Sequence, residues 1–233
     1  MLISEIFYSV QGEGMLTGVP SIFVRTSGCN LRCRWCDTPY ASWKPEGIDL
    51  TLDEILNRLK EWPAARHVVL TGGEPMVARE AGVLTAGIRA AGYHLTIETA
   101  GTIPLPEAGC DLASLSPKLS NSTPLPGEIS GAWITRHEQT RRNLPVLRGW
   151  IAGAGATQVK FVISDEADLA EAQTLLTEWG HGLPPDHILL MPEGRTMEEL
   201  RARSAWLVER CKSHGYRFCQ RLHIELFGNK RGT

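Results

Sequence analysis

The chain has 233 residues, 42% hydrophobic and 21% charged, which suits one globular domain of moderate size or at most two small ones. A net charge of −2 gives no reason to expect a nucleic-acid partner. No window approaches the ~18 apolar residues of a membrane span, and the start, Met1–Glu5, lacks the features of a signal peptide. We therefore expect a cytoplasmic protein without membrane association and with reduced thiols.

Short apolar strands alternate with helices in the first half of the chain. Ile3–Val10 is predicted to be a strand that runs into the polar turn Gln11–Gly14. Thr51 has a glutamate three residues later, the capping-box pattern that begins a helix, and this helix is predicted to end near Trp62, before a proline. The other predicted elements are, in order, the strands Ser21–Thr26 and His67–Thr71, the helix Val77–Ala91, and the strands His94–Glu98 and Asp111–Ser116.

The second half begins with residues 119–135, where Ser, Asn, Thr, Pro and Gly predict a loop. A loop of this length in a compact domain is either functional or mobile. The elements predicted after it are, in order, the helix Arg136–Ile151, the strand Gln158–Ile163, the helix Asp165–Trp179, the strand His187–Met191 and the helix Thr196–His214. The tail, Phe218–Thr233, holds one apolar stretch.

Alternating strands and helices without a separating linker predict a single α/β domain with a parallel sheet and right-handed crossovers. About six core strands are expected, whereas a complete barrel of this type has about eight. The predicted fold is therefore an incomplete, TIM-like barrel with helices outside. Cysteines or polar residues follow most of the strands directly, and the carboxyl ends of parallel strands share one rim. We expect the functional site on that rim.

Cys29, Cys33 and Cys36 follow the second predicted strand at C-x3-C-x2-C spacing. Three thiolates so close in sequence can hold one soft metal centre. A structural zinc ion needs a fourth ligand, for which Asp37 is available, whereas an iron–sulfur cubane held by three cysteines leaves one iron open to a small molecule. A buried thiol cluster without metal is disfavoured because cysteine is otherwise sparse. Packing is the predicted role of the other cysteines: Cys110, Cys211 and Cys219.

The cysteine run resembles the cluster loop of the radical S-adenosylmethionine (radical SAM) enzymes, in which the open iron of a 4Fe–4S cluster binds the amino and carboxylate groups of SAM. Gly72-Gly73-Glu74-Pro75, after the third predicted strand, resembles the family segment that hydrogen-bonds the methionine amino group. The resemblance implies that Glu74 and the backbone of Gly72 and Gly73 hold this part of SAM. Further candidates for contacts with SAM are Glu98, Ser116, Lys118 and Ser164.

Most of the chain closely resembles the 7-carboxy-7-deazaguanine synthase family, residues 119–157 least. The segments that carry the resemblance are Ser4–Gly14, Gly18–Pro20, Phe23–Leu31, Cys36–Thr38, Ser116–Lys118, Lys160–Ser164, Leu190–Pro192 and Arg221–His223. The resemblance implies a carbon–nitrogen lyase of queuosine biosynthesis. A 5′-deoxyadenosyl radical takes a hydrogen from C6 of 6-carboxy-5,6,7,8-tetrahydropterin, and ring contraction with loss of ammonia gives 7-carboxy-7-deazaguanine. A reductant such as flavodoxin or ferredoxin and a homodimer are also implied.

The same resemblance assigns substrate and magnesium roles. Gln11 and Glu13 can pair with the donor and acceptor edge of a pterin, and Arg25 suits a carboxylate because its fork binds both oxygens. Thr38 occupies the position of the family threonine that supports a magnesium ion bridging to the substrate. Capping of the turn before Pro39 is the alternative role of Thr38. The other implied substrate-binding residues are Gly12, Gly14, Thr71 and His223.

The resemblance predicts that residues 1–233 form a radical SAM core domain with an N-terminal substrate-binding extension and a C-terminal tail. Two other functions are alternatives, and the first, a glycyl-radical activase, shares the cysteine spacing. An activase that installs a glycyl radical on a partner protein needs a docking surface and has no use for a pterin-binding set. A non-enzymatic iron–sulfur electron carrier or zinc module has no use for Gly72–Pro75 or for a polar rim.

Overall fold

The computed structural model describes residues 1–180 and 182–233, and one nine-stranded sheet runs through it. The strands are β1 (Leu2–Val10), β2 (Pro20–Thr26), β3 (Ile48–Asp49), β4 (His67–Gly72), β5 (His94–Thr99), β6 (Leu112–Leu115), β7 (Ala156–Ile163), β8 (Ile188–Pro192) and β9 (Arg217–Phe218). Their order is β3-β1-β2-β4-β5-β6-β7-β8-β9. Strands β2 to β9 pair in parallel along this order, and β1 pairs antiparallel with β2 and β3.

The predicted incomplete barrel is confirmed, because the six central strands are parallel and the sheet begins at β3 and ends at β9 without closing. The antiparallel pairing of β1 and β3 differs from the all-parallel sheet that alternation predicts. The helices are α1 (Pro39–Ser42), α2 (Leu52–Leu59), α3 (Ala81–Ala90), α4 (Gly131–Thr140), α5 (Leu144–Gly153), α6 (Glu166–Trp179), α7 (Met197–His214) and α8 (Leu222–Phe227). None of the helices in the described residues is long and apolar enough to cross a membrane.

Local capping explains where several helices begin. At the start of α2 the hydroxyl of Thr51 accepts a hydrogen bond from the amide of Glu54, whose carboxylate accepts from the amide of Thr51 in return. This is the predicted capping box. The carboxylate of Asp165 caps α6 by accepting from two amides of its first turn. Gly180 ends α6 in the left-handed conformation, with φ of 58°.

Three predicted boundaries are wrong. The single helix over Arg136–Ile151 is two helices, because Asn143 caps α5 and a proline in its first turn removes a backbone donor. Helix α4 begins at Gly131, inside the predicted loop. The helix predicted from Val77 begins at Ala81, since Pro75–Val77 form a 3-10 turn.

The alternation of side chains along the strands separates the core from the site. In β7, Phe161 packs in the main core between sheet and helices, whereas its neighbours Lys160 and Val162 line a cavity on the other face of the sheet. In β4, Leu70 belongs to the core and Thr71 lines the same cavity. Neighbouring residues of a strand point to opposite faces. The concave face of the sheet is therefore the one that carries the polar residues.

Candidate active site

A cavity of about 500 Å³ lies at the carboxyl ends of the parallel strands. All three cysteines of the loop line it, as does Thr38. The other predicted site residues on its wall are Gln11, Gly12, Glu13, Arg25, Thr71, Gly72, Gly73, Glu98, Ser116, Lys118 and His223. Among the described residues, three predicted site residues stand behind the wall: Gly14, Glu74 and Ser164. The fold thus gathers residues from both ends of the chain around one space.

The cysteine loop is fixed at its base by backbone hydrogen bonds. The amide of Gly28, which has φ of 112°, donates to the carbonyl of Ala41 at 2.8 Å, and the amide of Glu74 donates to the carbonyl of Gly28 at 2.9 Å. The three cysteines pack with Leu31 and Ala100 in one small apolar cluster. Burial raises the pKa of Cys29 and of Cys33 to about 12. Their thiols need a bound metal to become thiolates at neutral pH.

The residues present fit a three-cysteine iron–sulfur cluster better than a single zinc ion. In residues 1–180 and 182–233, no three His, Cys, Asp or Glu side chains are grouped so as to hold one metal ion. A cubane binds its three cysteines through three different irons, so its ligands need not converge on one point. Asp37, the only acidic residue in the loop sequence, pairs with Arg221 instead. Burial raises the pKa of Asp37, but the guanidinium groups of Arg221 and Arg25 together keep it below its ordinary value, so this carboxylate is engaged as a structural anion.

A buried histidine supports the loop from behind. The Nδ1 atom of His137, on α4, accepts from the amide of Arg32 at 3.1 Å, and its Nε2 atom lies 3.0 Å from the hydroxyl of Ser122. That hydroxyl donates to the carbonyl of Leu119, so it accepts from Nε2–H. Burial lowers the pKa of His137 to about 4, which keeps the ring neutral. The sequence carries no spacing signal for this residue, which lies in the stretch 119–157 that least resembles the family.

The Gly-Gly-Glu segment is the point where β4 packs on the cysteine loop. A Cβ atom on Gly73 would lie 2.5 Å from the carbonyl oxygens of Ala41 and Gly28 and 2.7 Å from the Cβ of Cys29. A Cβ on Gly72 would lie 2.4 Å from the hydroxyl of Thr26. Only glycine permits such close approach. The two glycines therefore serve the contact between protein segments, in addition to any contact with a ligand.

Glu74 is 1% exposed, and its carboxylate is surrounded by donors from the protein. It accepts from the hydroxyl of Thr99 at 2.7 Å, from the amide of Ala100 at 2.9 Å and from the amide of Met76 at 3.2 Å. Burial raises the pKa of Glu74. These bonds join the ends of β4 and β5 beneath the cluster loop. Direct contact between Glu74 and the methionine amino group of SAM stays a prediction.

A buried network of charges forms the part of the wall away from the cysteines. Glu13 pairs with Lys160, and it accepts from Nε of Arg221 at 2.9 Å. Arg221 also pairs with Asp37 and donates to the carbonyl of Gly194 at 2.6 Å. Burial raises the pKa of Glu13, but Lys160 and Arg221 lower it by more, so Glu13 is ionised. The network connects the N-terminal turn, β7, the cysteine loop and the residue that directly precedes α8.

The N-terminal turn is held by neighbours on both sides. Gln11, which is buried, donates to Glu98 at 3.1 Å and accepts from the amide of Glu13 at 3.1 Å. The ring of His223 fills the space where a Cβ of Gly12 would lie, at 2.1 Å from Nδ1. Gly14, with φ of 83°, meets the side chain of Gln158 rather than the cavity. In this turn, therefore, the side chains of positions 11 and 13 face the space for a ligand.

The remaining candidates differ in how far their polar groups are already engaged. The Nε atom of Arg25 donates to Glu5 at 2.7 Å, and the hydroxyl of Tyr40 donates to the same carboxylate at 2.9 Å. The ammonium group of Lys118 donates to the hydroxyl of Ser116 at 2.7 Å. The hydroxyl of Thr38 makes no capping bond at the start of α1, which is evidence against the capping alternative. The amide of Ser164 donates to Asp168 at 2.7 Å, behind the wall.

Sequence reasoning missed the positions that complete the charged network. Lys160 and Arg221 lie in segments that carry the family resemblance, but neither received a role. A lysine inside an otherwise apolar strand was the available signal for Lys160, because a buried lysine almost always has a partner. For Asp37 the sequence suggests only a zinc-ligand role, and it gives no signal for Tyr40.

Comparison with known proteins agrees with this geometry. The family model for the radical SAM superfamily matches residues 23–138. The crystal structure of QueE from Escherichia coli superposes with a TM-score of 0.64 and 26% identity, covering 95% of this chain and 94% of that one. The structure of Streptococcus suis SuiB superposes with a TM-score of 0.55 and 10% identity, over 84% of this chain and 47% of the SuiB chain. At this identity the similarity is evidence for a shared fold only. The fold and the three-cysteine loop together define a radical SAM enzyme.

Relatives that align over nearly the whole chain show which family of radical SAM enzymes it belongs to. The chain is 47% identical to 7-carboxy-7-deazaguanine synthase of Rhodopirellula baltica, over 100% of its own length and 89% of that protein. It is 44% identical to the 7-carboxy-7-deazaguanine synthase of Halobacterium salinarum, over 99% of its length and 92% of that protein. The chain belongs to the 7-carboxy-7-deazaguanine synthase family.

Proposed function

We propose that this protein converts 6-carboxy-5,6,7,8-tetrahydropterin into 7-carboxy-7-deazaguanine with loss of ammonia, in queuosine biosynthesis. The observation that carries the proposal is one cavity with the three-cysteine loop on one wall and the charged network of Glu13, Lys160 and Arg221 on another. When bound, the 4Fe–4S cluster and SAM supply a 5′-deoxyadenosyl radical that takes a hydrogen from C6 of the substrate. The protein supplies position and electrostatics.

The pterin would be oriented by the N-terminal turn. Ionised Glu13 accepts hydrogen bonds from donors on the pyrimidine edge, and Gln11 offers an amide beside it. The two cations of the network are already paired with Glu13 and Asp37, so they hold Glu13 rather than a second anion. Arg25 engages Glu5 through Nε, and no hydrogen bond involves its Nη atoms among the described residues. Its fork is therefore the cation best placed for the substrate carboxylate.

The cofactors would occupy the wall around the cysteines. Cys29, Cys33 and Cys36 would hold the cluster, and Gly72–Gly73 with the polar side chains at the ends of β5 and β6 would face SAM. Thr38, whose hydroxyl is free of capping, would support Mg²⁺ beside the substrate. In the domain scheme we propose, residues 1–233 act as one radical SAM core with an N-terminal extension for the substrate and a C-terminal tail. A cytoplasmic homodimer reduced by flavodoxin or ferredoxin completes the proposal.

The test is anaerobic turnover. The reconstituted protein would be reduced chemically and given SAM and 6-carboxy-5,6,7,8-tetrahydropterin, and chromatography would follow 5′-deoxyadenosine and 7-carboxy-7-deazaguanine. We expect both products. Deoxyadenosine without deazaguanine would indicate another substrate, with the glycyl-radical activase first in line. Neither product, from protein with an intact and reducible cluster, would favour the electron carrier.

Arg25→Lys gives a matched control for the substrate assignment, because it keeps the positive charge and removes the fork. We expect a raised KM for the pterin while uncoupled formation of deoxyadenosine is kept. An unchanged KM would contradict the role of Arg25.

A further inference from the structure

Two arginines lie against one tryptophan on the surface beside the cysteine loop. The guanidinium carbon of Arg32 lies 3.9 Å from the centre of the Trp133 ring, and that of Arg136 lies 4.9 Å from it. We call these three residues the Arg32 patch. Arg136 is exposed, and Trp133 and Arg32 are half-buried. Arginine and tryptophan are the residue types that most often dominate the energy of protein interfaces.

The patch adjoins the cluster ligands but not the cavity. The guanidinium of Arg32 donates to the carbonyl of Cys29 at 2.9 Å and to that of Leu31 at 2.7 Å. Of the described residues that line the cavity, none belongs to the patch, whereas all three cysteines do line it. The cysteine loop thus separates the space for SAM and substrate from the Arg32 patch. A redox partner that approached through the patch would reach the cluster without entering the cavity.

The charge of the patch is not balanced by neighbours. Neither Arg32 nor Arg136 forms an ion pair within the described part of the chain, although the whole protein carries a net charge of −2. Arg34, on the same loop, adds a third cation, which makes a 3.7 Å pair with Glu128. The nearby Glu138 is engaged by Arg141. Two like charges held beside one ring favour an anionic partner.

We propose that the Arg32 patch is the docking surface for the electron donor, a small one-electron carrier protein whose redox group is surrounded by acidic side chains. The inference rests on the proposed function, because reductive cleavage of SAM consumes one electron. At the interface the donor loses one electron and the oxidised cluster gains it, and no covalent bond forms or breaks. Redox encounters of this kind are small interfaces, below ~1,200 Å², in which charge sets the association rate.

The test is the rate at which reduced flavodoxin, an acidic carrier, reduces the cluster of the reconstituted protein under anaerobic conditions. The variant is Arg136→Glu, since this side chain is exposed, lies against the ring of Trp133 and forms no ion pair within the described residues. The matched control is Arg58→Glu, which makes the same change of charge in the last turn of α2. Dithionite, which needs no docking surface, reduces the same samples in parallel.

We expect Arg136→Glu to raise the half-saturating concentration of flavodoxin by about tenfold and to weaken its dependence on salt. Arg58→Glu should behave like the unmodified protein, and dithionite should reduce all three clusters equally. Equal rates with flavodoxin for Arg136→Glu and Arg58→Glu would overturn the proposal, as would an unmodified protein that flavodoxin does not reduce. Cluster reduction is measured without substrate, so failure of the proposed function appears separately, as absence of deazaguanine with dithionite. Arg136→Gln, which only neutralises the charge, serves if the glutamate variant does not fold, with an intermediate effect expected.

Discussion

Replacing Glu13 by glutamine tests how much the buried charged network contributes to stability. The substitution removes one negative charge and leaves the shape of the side chain nearly unchanged. The side chains of Lys160 and Arg221 are 8% and 7% exposed, so water cannot replace the lost carboxylate. Lys160 loses its ion-pair partner, and Arg221 keeps Asp37 and the carbonyl of Gly194. Most of the lost stability therefore comes from leaving the buried ammonium group of Lys160 unpaired.

Breaking a buried ion pair by removing one partner costs about 3–5 kcal/mol. We expect about 3 kcal/mol for Glu13→Gln, the lower end of that range, because Arg221 keeps two partners and the amide oxygen still accepts a hydrogen bond. For comparison, Glu46→Gln breaks a 3.1 Å pair with Arg231 in which both side chains are half exposed. We expect less than about 1 kcal/mol there.

The assay is urea unfolding of the cluster-free protein at pH 7, with Glu46→Gln as the control. Adding Lys160→Met to Glu13→Gln should restore part of the lost free energy of unfolding, because it removes the unpaired cation. A loss for Glu13→Gln below about 1 kcal/mol, or equal to that of the control, would refute this reasoning.

The remaining predictions concern pH, the cluster loop and magnesium. Because the folded pKa of Glu13 is depressed, the stabilisation that it gives is fully present above its ordinary pKa of 4.5 and is lost as pH falls through the folded pKa. The urea midpoint should therefore fall less between pH 7 and acid pH in Glu13→Gln than in the unmodified protein. His137→Ala leaves the buried amide of Arg32 without its acceptor, so we expect a loss of about 1–3 kcal/mol in the free energy of unfolding and less iron per chain after reconstitution. His137→Gln, the control, should be closer to the unmodified protein in both measurements. Normal iron content in the alanine variant would contradict the supporting role of His137. Thr38→Ala should weaken stimulation by magnesium at unchanged iron content, and an unchanged response to magnesium would remove that role.

Local signals explain which parts of the fold could be predicted. The capping box at Thr51 and the apolar strands are visible in short windows of sequence, and both are confirmed. The antiparallel position of β1 depends on its pairing with two other strands, which no local pattern encodes. The split between α4 and α5 does have a local signal, because Asn143 is a favoured residue type at the start of a helix and a proline follows it two positions later.

The site residues also fall into two groups, those that a local sequence motif reveals and those that only the fold brings together. The cysteines and the Gly-Gly-Glu segment are contiguous motifs, so resemblance located them, and the structure places the cysteines and both glycines on one cavity wall. The partners in the charged network are separated by long stretches of chain: 147 residues between Glu13 and Lys160, and 208 between Glu13 and Arg221. Spacing cannot reveal contacts of that kind. They follow only once the sheet has brought both ends of the chain to one rim.

Arg221 contacts both a residue of the cysteine motif and a residue that is distant in sequence. Its guanidinium binds Asp37, one residue after the last cysteine of the cluster loop, and Glu13, in the turn proposed to hold the pterin. A third bond reaches the carbonyl of Gly194, just after β8. One planar guanidinium group thus links the wall proposed to hold the cluster to the wall proposed to hold the substrate. Radical transfer from SAM to C6 depends on that distance, because hydrogen abstraction requires the reacting atoms to be held close together and aligned. If the two walls have the proposed roles, Arg221, which directly precedes α8, acts as a positioning residue, although it lies outside the motifs that define the superfamily.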